Sequence, residues 1–336
     1  MKMRNVANLS PKQKNELFSE TAKLMRTTEA IVEKDFWVVW TLDKLFSDNR
    51  LNKILMFKGG TSLSKVFNLI GRFSEDIDLV LDCNLVTDED PFADRGSNNQ
   101  QSIFNVEVNK KAKQYIQETL LPIISELVGS QCGCEYDEDE RGNYFVNINY
   151  PSAFRDVALR PQILLEIGPL AAWLPSSSYT ITSFAAEKFP HLFTQITCNI
   201  QAVMAKRTFW EKATILHQEA NRAEGKLIPL RHSRHYYDLA QMAQSEVKDE
   251  ALHDLQLLRD VVEFKQKFYR SPWAKYEDAH VGTFKLLPPV FRYKELKADY
   301  ASMQSMIFDK YLSFEKIIDI LKSLEDEINA LEPLDD

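Results

Sequence analysis

The chain has 336 residues, 44% of them apolar, and its 41 basic and 49 acidic side chains give a formal charge of −8. That length can bury one large core or two modest ones and favours two lobes, and the acidic balance excludes a protein that coats nucleic acid with its whole surface while leaving room for a local basic groove. Four cysteines, Cys83, Cys132, Cys134 and Cys198, are few for the length, and Cys132-Gly-Cys134 lacks the second pair that a structural zinc site needs.

From the N-terminus, Met1 to Glu16 has no apolar core of signal-peptide type, and no run approaches the ~18 uninterrupted apolar residues of a membrane span. With the sparse cysteines, this reads as a soluble cytoplasmic protein with reduced thiols. Ser10-Pro11 is a helix start, a capping residue followed by proline at the first helical position. Thr27-Thr28 restarts a longer helix through Phe46, whose Ile31, Phe36, Val39, Trp40 and Leu42 make a broad apolar surface. The charges of Glu33-Lys34-Asp35 within it are expected on a solvated face, with Lys34 a candidate for substrate contact.

Ile54 to Phe57 predicts a short strand, and Gly59-Gly60 a tight turn where backbone N–H groups can approach an anion. Thr61 to Ile70 then has helical spacing, with Leu63, Val66, Phe67 and Ile70 apolar and Gly71 as its end. First-turn amides and the hydroxyls of Thr61 and Ser62 would suit a phosphate. Asp76 to Asp82 alternates like a strand, so Asp76 and Asp78 project from one face about 7 Å apart. Such a pair repels unless a cation sits between its members, and Mg²⁺, which prefers hard oxygen ligands and substrate phosphates, is the natural candidate. The alternative is a solvated acidic strand edge. Ser74 shares the face of Asp76 and reads either as a hydroxyl bonded to a metal ligand or as a regulatory site where added phosphate would repel a triphosphate.

Strand, Gly-Gly-Thr, helix, Arg72, Ser74, Asp76 and Asp78 together resemble motif I of the DNA polymerase beta type nucleotidyltransferase superfamily. More narrowly, GGTSLSK followed by RFSEDIDL resembles the AbiEii/AbiGii toxin family, the toxin half of abortive-infection and type IV toxin–antitoxin pairs. Fifteen residues separate Gly60 from Asp76, longer than the usual superfamily gap and similar to the narrower family's. Glu33 to Trp37 resembles a segment that commonly precedes motif I in that family.

Asp88 to Gln101 is a polar loop, followed by a helix from about Ile103 to Val128 closed by Gly129, with Lys110, Lys111 and Lys113 on its exposed side. Cys134 to Tyr136 and Tyr144 to Tyr150 alternate as strands around an Asp137 to Asn143 hairpin loop, and Gln162 to Gly168 is an apolar strand carrying one acid, Glu166. A carboxylate in such a run needs a partner. The resemblance implies that Glu166 binds metal or accepts the attacking hydroxyl's proton; the alternative is a salt bridge to Arg155 or Arg160. Leu174-Pro175 with the following serines looks like a boundary, after which the pattern turns helical.

Thr208 to Glu211 fits a capping box. Lys212 shares a helical face with Phe209 and Leu216, and reads either as a snorkelling lysine or as one holding a triphosphate. Pro229 opens another helix, on which Asp238 borders an apolar stripe. TFWEKATILH and RHSRHYYDL resemble the family's later motifs, which carries Lys212 and Asp238 across as active-site residues and, more weakly, Arg231 and Arg234 as phosphate contacts. His217, His232 and His235 lack the spacing of a zinc site and read as core or solvent histidines. Between Phe264 and Lys297 basic and aromatic residues interleave, as in single-stranded RNA binding or in helical packing with a charged exterior. Ser313 to Leu331 is an amphipathic helix.

The expected fold is α/β (α+β): a nucleotidyltransferase-type mixed sheet with flanking helices in residues 1–178, and a mostly helical lobe in 179–336 that completes the active site. The resemblance implies transfer of NMP from an NTP, with Asp76 and Asp78 on Mg²⁺ or Mn²⁺, Gly59, Gly60, Thr61, Ser62, Ser74 and Arg234 at the nucleotide, Lys212 on the departing pyrophosphate, and Glu166 or Asp238 as base. It implies an RNA acceptor, the 3′ end of tRNA, and a winged-helix antitoxin as partner. Rival readings are transfer to a protein hydroxyl and a non-catalytic NTP-binding module.

Overall fold

The computed structural model describes residues 6–140, 142–156, 159–308 and 311–334. The chain divides into two compact units, one of residues 1–67 and 73–203, the other of 68–72 and 204–336.

The first unit is built on a seven-stranded mixed sheet in the order β3 (Gly133–Glu138), β4 (Tyr144–Asn149), β5 (Ile163–Gly168), β2 (Ile77–Leu81), β1 (Leu55–Lys58), β7 (Thr197–Val203), β6 (Ser176–Thr182). Helix α1 (Pro11–Met25) starts at a capping box in which Ser10 and Gln13 satisfy each other's end of the first turn. Thr28 caps α2 (Glu29–Ser47), which packs along β5 and β7. Strand β1 (Leu55–Lys58) leads directly into α3 (Gly59–Lys65). This helix is shorter than its apolar spacing suggests: it ends at Lys65, not Ile70, and the chain leaves it through Asn68 at a φ of 51°. Strand β2 (Ile77–Leu81) runs antiparallel to β1 and parallel to β5 (Ile163–Gly168). Asp76 and Ser74 therefore precede the strand instead of lying on it.

Helix α4 (Asn98–Tyr115) begins five residues before Ile103 because Ser97 caps it. It continues through a π-helical turn, Ile116–Leu120, into α5 (Leu121–Val128). Pro122 has no N–H to complete the ladder there, which accounts for the widened turn just before it. Strands β3 (Gly133–Glu138) and β4 (Tyr144–Asn149) form the expected hairpin, with Gly142 at positive φ in its loop.

After Leu174 the pattern does not turn helical. Strand β6 (Ser176–Thr182), the short helix α6 (Phe184–Lys188) and strand β7 (Thr197–Val203) follow, and β7 pairs in parallel with β1. The division between units falls at Val203–Met204, not at 178–179. β6 misleads because it is an edge strand with Ser176 to Ser178 mostly exposed, so small polar residues occupy positions where an inner strand would carry apolar ones.

In the second unit α7 (Ala205–Ala220) is the hub, packed by α8 (Arg234–Met242), α9 (Glu246–Leu252) and α10 (Leu255–Phe268). Helices α11 (Tyr293–Ser302) and α12 (Phe314–Asn329) complete it, with Phe314, Ile317, Leu321, Leu324 and Ile328 of α12 buried as their spacing predicts. Met204, not Thr208, is the N-cap of α7. Thr208 lies inside the helix and Glu211 pairs with Arg207 at 3.3 Å, so the capping-box reading is corrected. α8 likewise starts at Arg234, five residues after Pro229.

Candidate active site

In the first unit the acidic pair is built around one close approach. Asp78, the second residue of β2, is half-buried and stands opposite Lys58 of β1 and beside Glu166 of β5. Gly59 follows Lys58 with φ +81°, and a Cβ built on it would lie 1.8 Å from Asp78 Oδ2. Only glycine admits that carboxylate and that dihedral together. Thr61 donates its hydroxyl to the Asp76 carbonyl, and Ser62 donates to the Gly59 carbonyl at 2.8 Å. Both hydroxyl protons are thus used to brace the turn against the acidic segment. Glu166 is exposed, so the cost of burying an acid in an apolar strand does not arise. In parallel pairing it shares a sheet face with Asp78.

Glu33, Lys34 and Asp35 overturn the expectation of a solvated face: none is more than 2% exposed. Each grips a different element. Glu33 accepts from the N–H groups of Ala153 (2.9 Å) and Phe154 (3.0 Å). Lys34 donates to Glu75 at 2.5 Å and to the Arg160 carbonyl at 2.9 Å, and Glu75 also accepts from the Arg160 N–H at 3.0 Å. Asp35 pairs with Lys65 at the end of α3 (2.6 Å) and accepts from the Phe184 N–H (2.7 Å). Three consecutive buried charges therefore hold the loop before β5, the residue next to Asp76, and the helix whose first residues are Gly59 and Gly60. Their signal in the sequence is the apolar run on both sides, since a helix that is apolar nearly all round is buried all round.

In the second unit, Lys212 of α7 and Asp238 of α8 meet Arg72. The Asp238 carboxylate, 0% exposed, accepts from Arg72 Nε and Nη2 at 2.7 and 2.8 Å and from Lys212 Nζ at 2.7 Å. Segment 68–72 belongs to this unit through a bridge between Arg72 and Ile307 and a bond from the Phe308 N–H to the Gly71 carbonyl. Burial alone would push the Asp238 carboxyl up, but the Arg72 guanidinium and Lys212 ammonium outweigh it and hold the pKa at about 2. Burial draws the Lys212 ammonium below its ordinary range; Asp238 opposes that shift, and Arg72 and Arg234 add to it. Lys212 is not a snorkelling lysine, because its ammonium is buried with its stem. His235 Nδ1 lies 3.4 Å from Lys212 Nζ, and burial, then the nearby cations, hold this imidazole well below its ordinary pKa, so it meets the lysine neutral. Arg72 and Glu75 stand in the RFSEDID stretch, whose spacing gives neither of them a partner. Nothing short of tertiary structure shows which carboxylate or cation each would meet.

Other expectations resolve as packing. His217 is a core histidine, its ring bonded to the Lys275 carbonyl and the Lys285 N–H. Within the basic and aromatic stretch, Tyr276 and Arg292 are buried, and Trp273 lies under Arg222 at 4.4 Å; Tyr269 and Phe291 remain about half exposed. Arg234 is exposed, while Arg231 takes a φ of 59° and donates its N–H to Asp299.

Among the described residues no group of three or more His, Cys, Asp or Glu gathers as a metal-binding set. A Mg²⁺ site that relies on one or two carboxylates and on substrate phosphates does not need one. Asp76 and Asp78 are hard oxygen donors of that kind, and the missing Cβ of Gly59 makes room for the Asp78 carboxylate itself, so the donor chemistry suits a divalent cation. No helix among the described residues is long and apolar enough to cross a membrane.

No curated protein matches the sequence. Among solved structures, the nucleotidyltransferase toxin MenT4 of Mycobacterium tuberculosis is similar at 17% identity and a TM-score of 0.49, covering 94% of this chain and 90% of that one. JHP933 of Helicobacter pylori is similar at 13% identity and a TM-score of 0.45, covering 90% of this chain and 93% of that one. The family model of the nucleotidyl transferase AbiEii toxin, type IV toxin–antitoxin system, matches residues 40–320, which takes in α3, β2, α7 and α8. The chain belongs to this AbiEii family and is a nucleotidyltransferase toxin of the type IV toxin–antitoxin class.

Proposed function

We propose that this toxin transfers NMP from an NTP to an RNA 3′ hydroxyl, that of tRNA, with a divalent metal held by Asp76 and Asp78. The observation that carries the proposal is the junction of β1, α3 and β2, where a positive-φ glycine lies against a half-buried aspartate beside a second strand carrying Glu166. Bound there, Mg²⁺ or Mn²⁺ would neutralise phosphate charge and polarise the phosphorus under attack. The amides of Gly59 and Gly60 face the phosphates, with Thr61, Ser62 and Ser74 shaping the turn around them. Lys212 meets the charge of the departing pyrophosphate, its ammonium held in place by Asp238, and the exposed Arg234 adds a cation.

Glu166 is the better of the two base candidates. A carboxylate with a pKa of about 2, both oxygens occupied by cations, is a poor proton acceptor, and that is the state of Asp238. Asp238 instead positions Arg72 and Lys212. Glu166 is exposed on the same sheet face as Asp78 and can reach an incoming hydroxyl.

Membership of a type IV toxin–antitoxin family implies an antitoxin partner and an NTP substrate. We assign that partner to the winged-helix class and the site of action to the cytoplasm, where NTPs and tRNA are found. A nucleotide added to the 3′ end of tRNA would stop aminoacylation and account for toxicity. Incubating the protein with each labelled NTP and separate RNA and protein pools tests the proposal: label enters RNA with the wild type and not with Asp78→Asn. Label in the protein pool, or in RNA with the variant, would reject it.

A further inference from the structure

We infer that the cavity lined by the loop between β4 and β5 is the seat of the acceptor strand, and that Arg155 and Arg160 bind its phosphodiesters. The inference rests on the transfer to RNA proposed above and adds where that RNA lies.

Sheet order decides the side of approach. β2, with Asp78, lies between β1 and β5. On the β1 side, Lys58 is opposite Asp78 and runs into Gly59-Gly60, the turn assigned to the triphosphate. On the β5 side, Glu166 is level with Asp78, and the loop that enters β5 lies at the same end of the sheet, since the Glu75 carboxylate accepts the Arg160 N–H. Phosphoryl transfer aligns the attacking and leaving oxygens roughly in line. With the leaving pyrophosphate on the β1 side, the attacking hydroxyl must arrive from the β5 side, past Glu166 and this loop.

The loop is shaped to receive it. A cavity of about 550 Å³ opens there, lined among others by Tyr150, Phe154, Arg155, Asp156 and Arg160. That volume lies within the usual range for small-ligand pockets and is enough for a terminal nucleotide. Both arginine side chains are exposed, and Phe154 is half-buried. Tyr150, which lines the cavity, stacks on Trp37 with ring centroids 5.9 Å apart. Two guanidiniums for phosphates, an aromatic surface for an unstacked base, and a carboxylate able to accept from a ribose hydroxyl are the groups that single-stranded RNA ends call for. The pocket is also pre-organised. Glu33 holds the main chain at Ala153 and Phe154, and Lys34 with Glu75 holds it at Arg160. These grips act on backbone atoms, so the arginine side chains can be changed without breaking them.

The test uses the full-length protein with bulk tRNA as acceptor and a fluorescent oligoribonucleotide for binding without NTP. In Arg155→Gln/Arg160→Gln, KM for tRNA and Kd for the oligonucleotide rise roughly tenfold or more, while KM for the NTP is unchanged. The slope of log affinity against log salt flattens by about 1.4, the value for two lost single-strand phosphate contacts. Arg155→Lys/Arg160→Lys keeps the slope. Wild-type affinity and slope in the glutamine variant would overturn the assignment of this cavity and leave the transfer reaction standing. Absence of RNA labelling by the wild type, with oligonucleotide binding still sensitive to the arginines, would instead remove the proposed reaction and keep the site.

Discussion

Gly59 is the residue on which the site is most finely set. Its Cα lies where any side chain would collide with Asp78, and its φ of +81° strains every other L-residue. Gly59→Ala is expected to lower kcat about 100-fold or more, as a displacement near 1 Å at a reacting centre does. Gly225→Ala is the control. It has a similar φ of +80° but open space around it, so it should cost about 1 kcal/mol of stability in urea titration and leave activity unchanged. Asp238 is the second residue with a distinct signature. Its pKa is depressed to about 2, so it contributes stability that is present above its ordinary value near 4 and is lost as pH falls through 2. That window holds about 2 kcal/mol, and Asp238→Asn should show no such loss there. At pH 7 the same variant leaves Arg72 and Lys212 buried without their anion, which should destabilise it by about 3–5 kcal/mol. The lowered Lys212 pKa also predicts an alkaline limb in kcat below the ordinary lysine value, shifted lower still in Asp238→Asn.

At the level of elements, α2 is the strut of the first unit. Its three buried charges tie α3, the segment before Asp76, and the loop before β5 to one rigid helix, so errors in one anchor are carried to Asp76 and Asp78. Lys34→Met removes the ammonium that Glu75 meets at 2.5 Å inside the unit and should lower stability by about 3–5 kcal/mol in thermal or urea unfolding. Lys34→Met/Glu75→Met removes both charges and should recover much of that stability, yet kcat should stay low, because the tether one residue from Asp76 is gone. Wild-type kcat in the stable double variant would mean that the pair serves the fold alone. Element types were legible wherever capping and period agreed, as at Ser10-Pro11, Thr28 and the β3–β4 hairpin. They were misread where a local pattern had two uses: Thr208-x-x-Glu211 has the form of a capping box but sits inside α7.

For the whole molecule, the unit boundary makes a prediction of its own. A fragment ending at residue 178 keeps only the first three residues of β6 and loses all of β7, leaving β1 as an open edge that carries the buried apolar Leu55, Met56 and Phe57, and should be insoluble when expressed alone. Soluble, folded fragment in circular dichroism would contradict that. The intact protein should lose all transfer in EDTA and regain it with Mg²⁺ or Mn²⁺, measured by label in RNA. The sequence by itself determined the family resemblance, the GG-to-DxD stretch and the strand carrying Glu166, and through that resemblance singled out Lys212 and Asp238, because each lies in a short-range pattern of residue type and spacing. Only the tertiary structure decided that Glu33, Lys34 and Asp35 are buried, that Arg72 closes on Asp238, and that β6 and β7 complete the sheet. The physical reason is that burial of a charge depends on whether a counter-charge distant in sequence is brought against it, and neither period nor composition records that meeting.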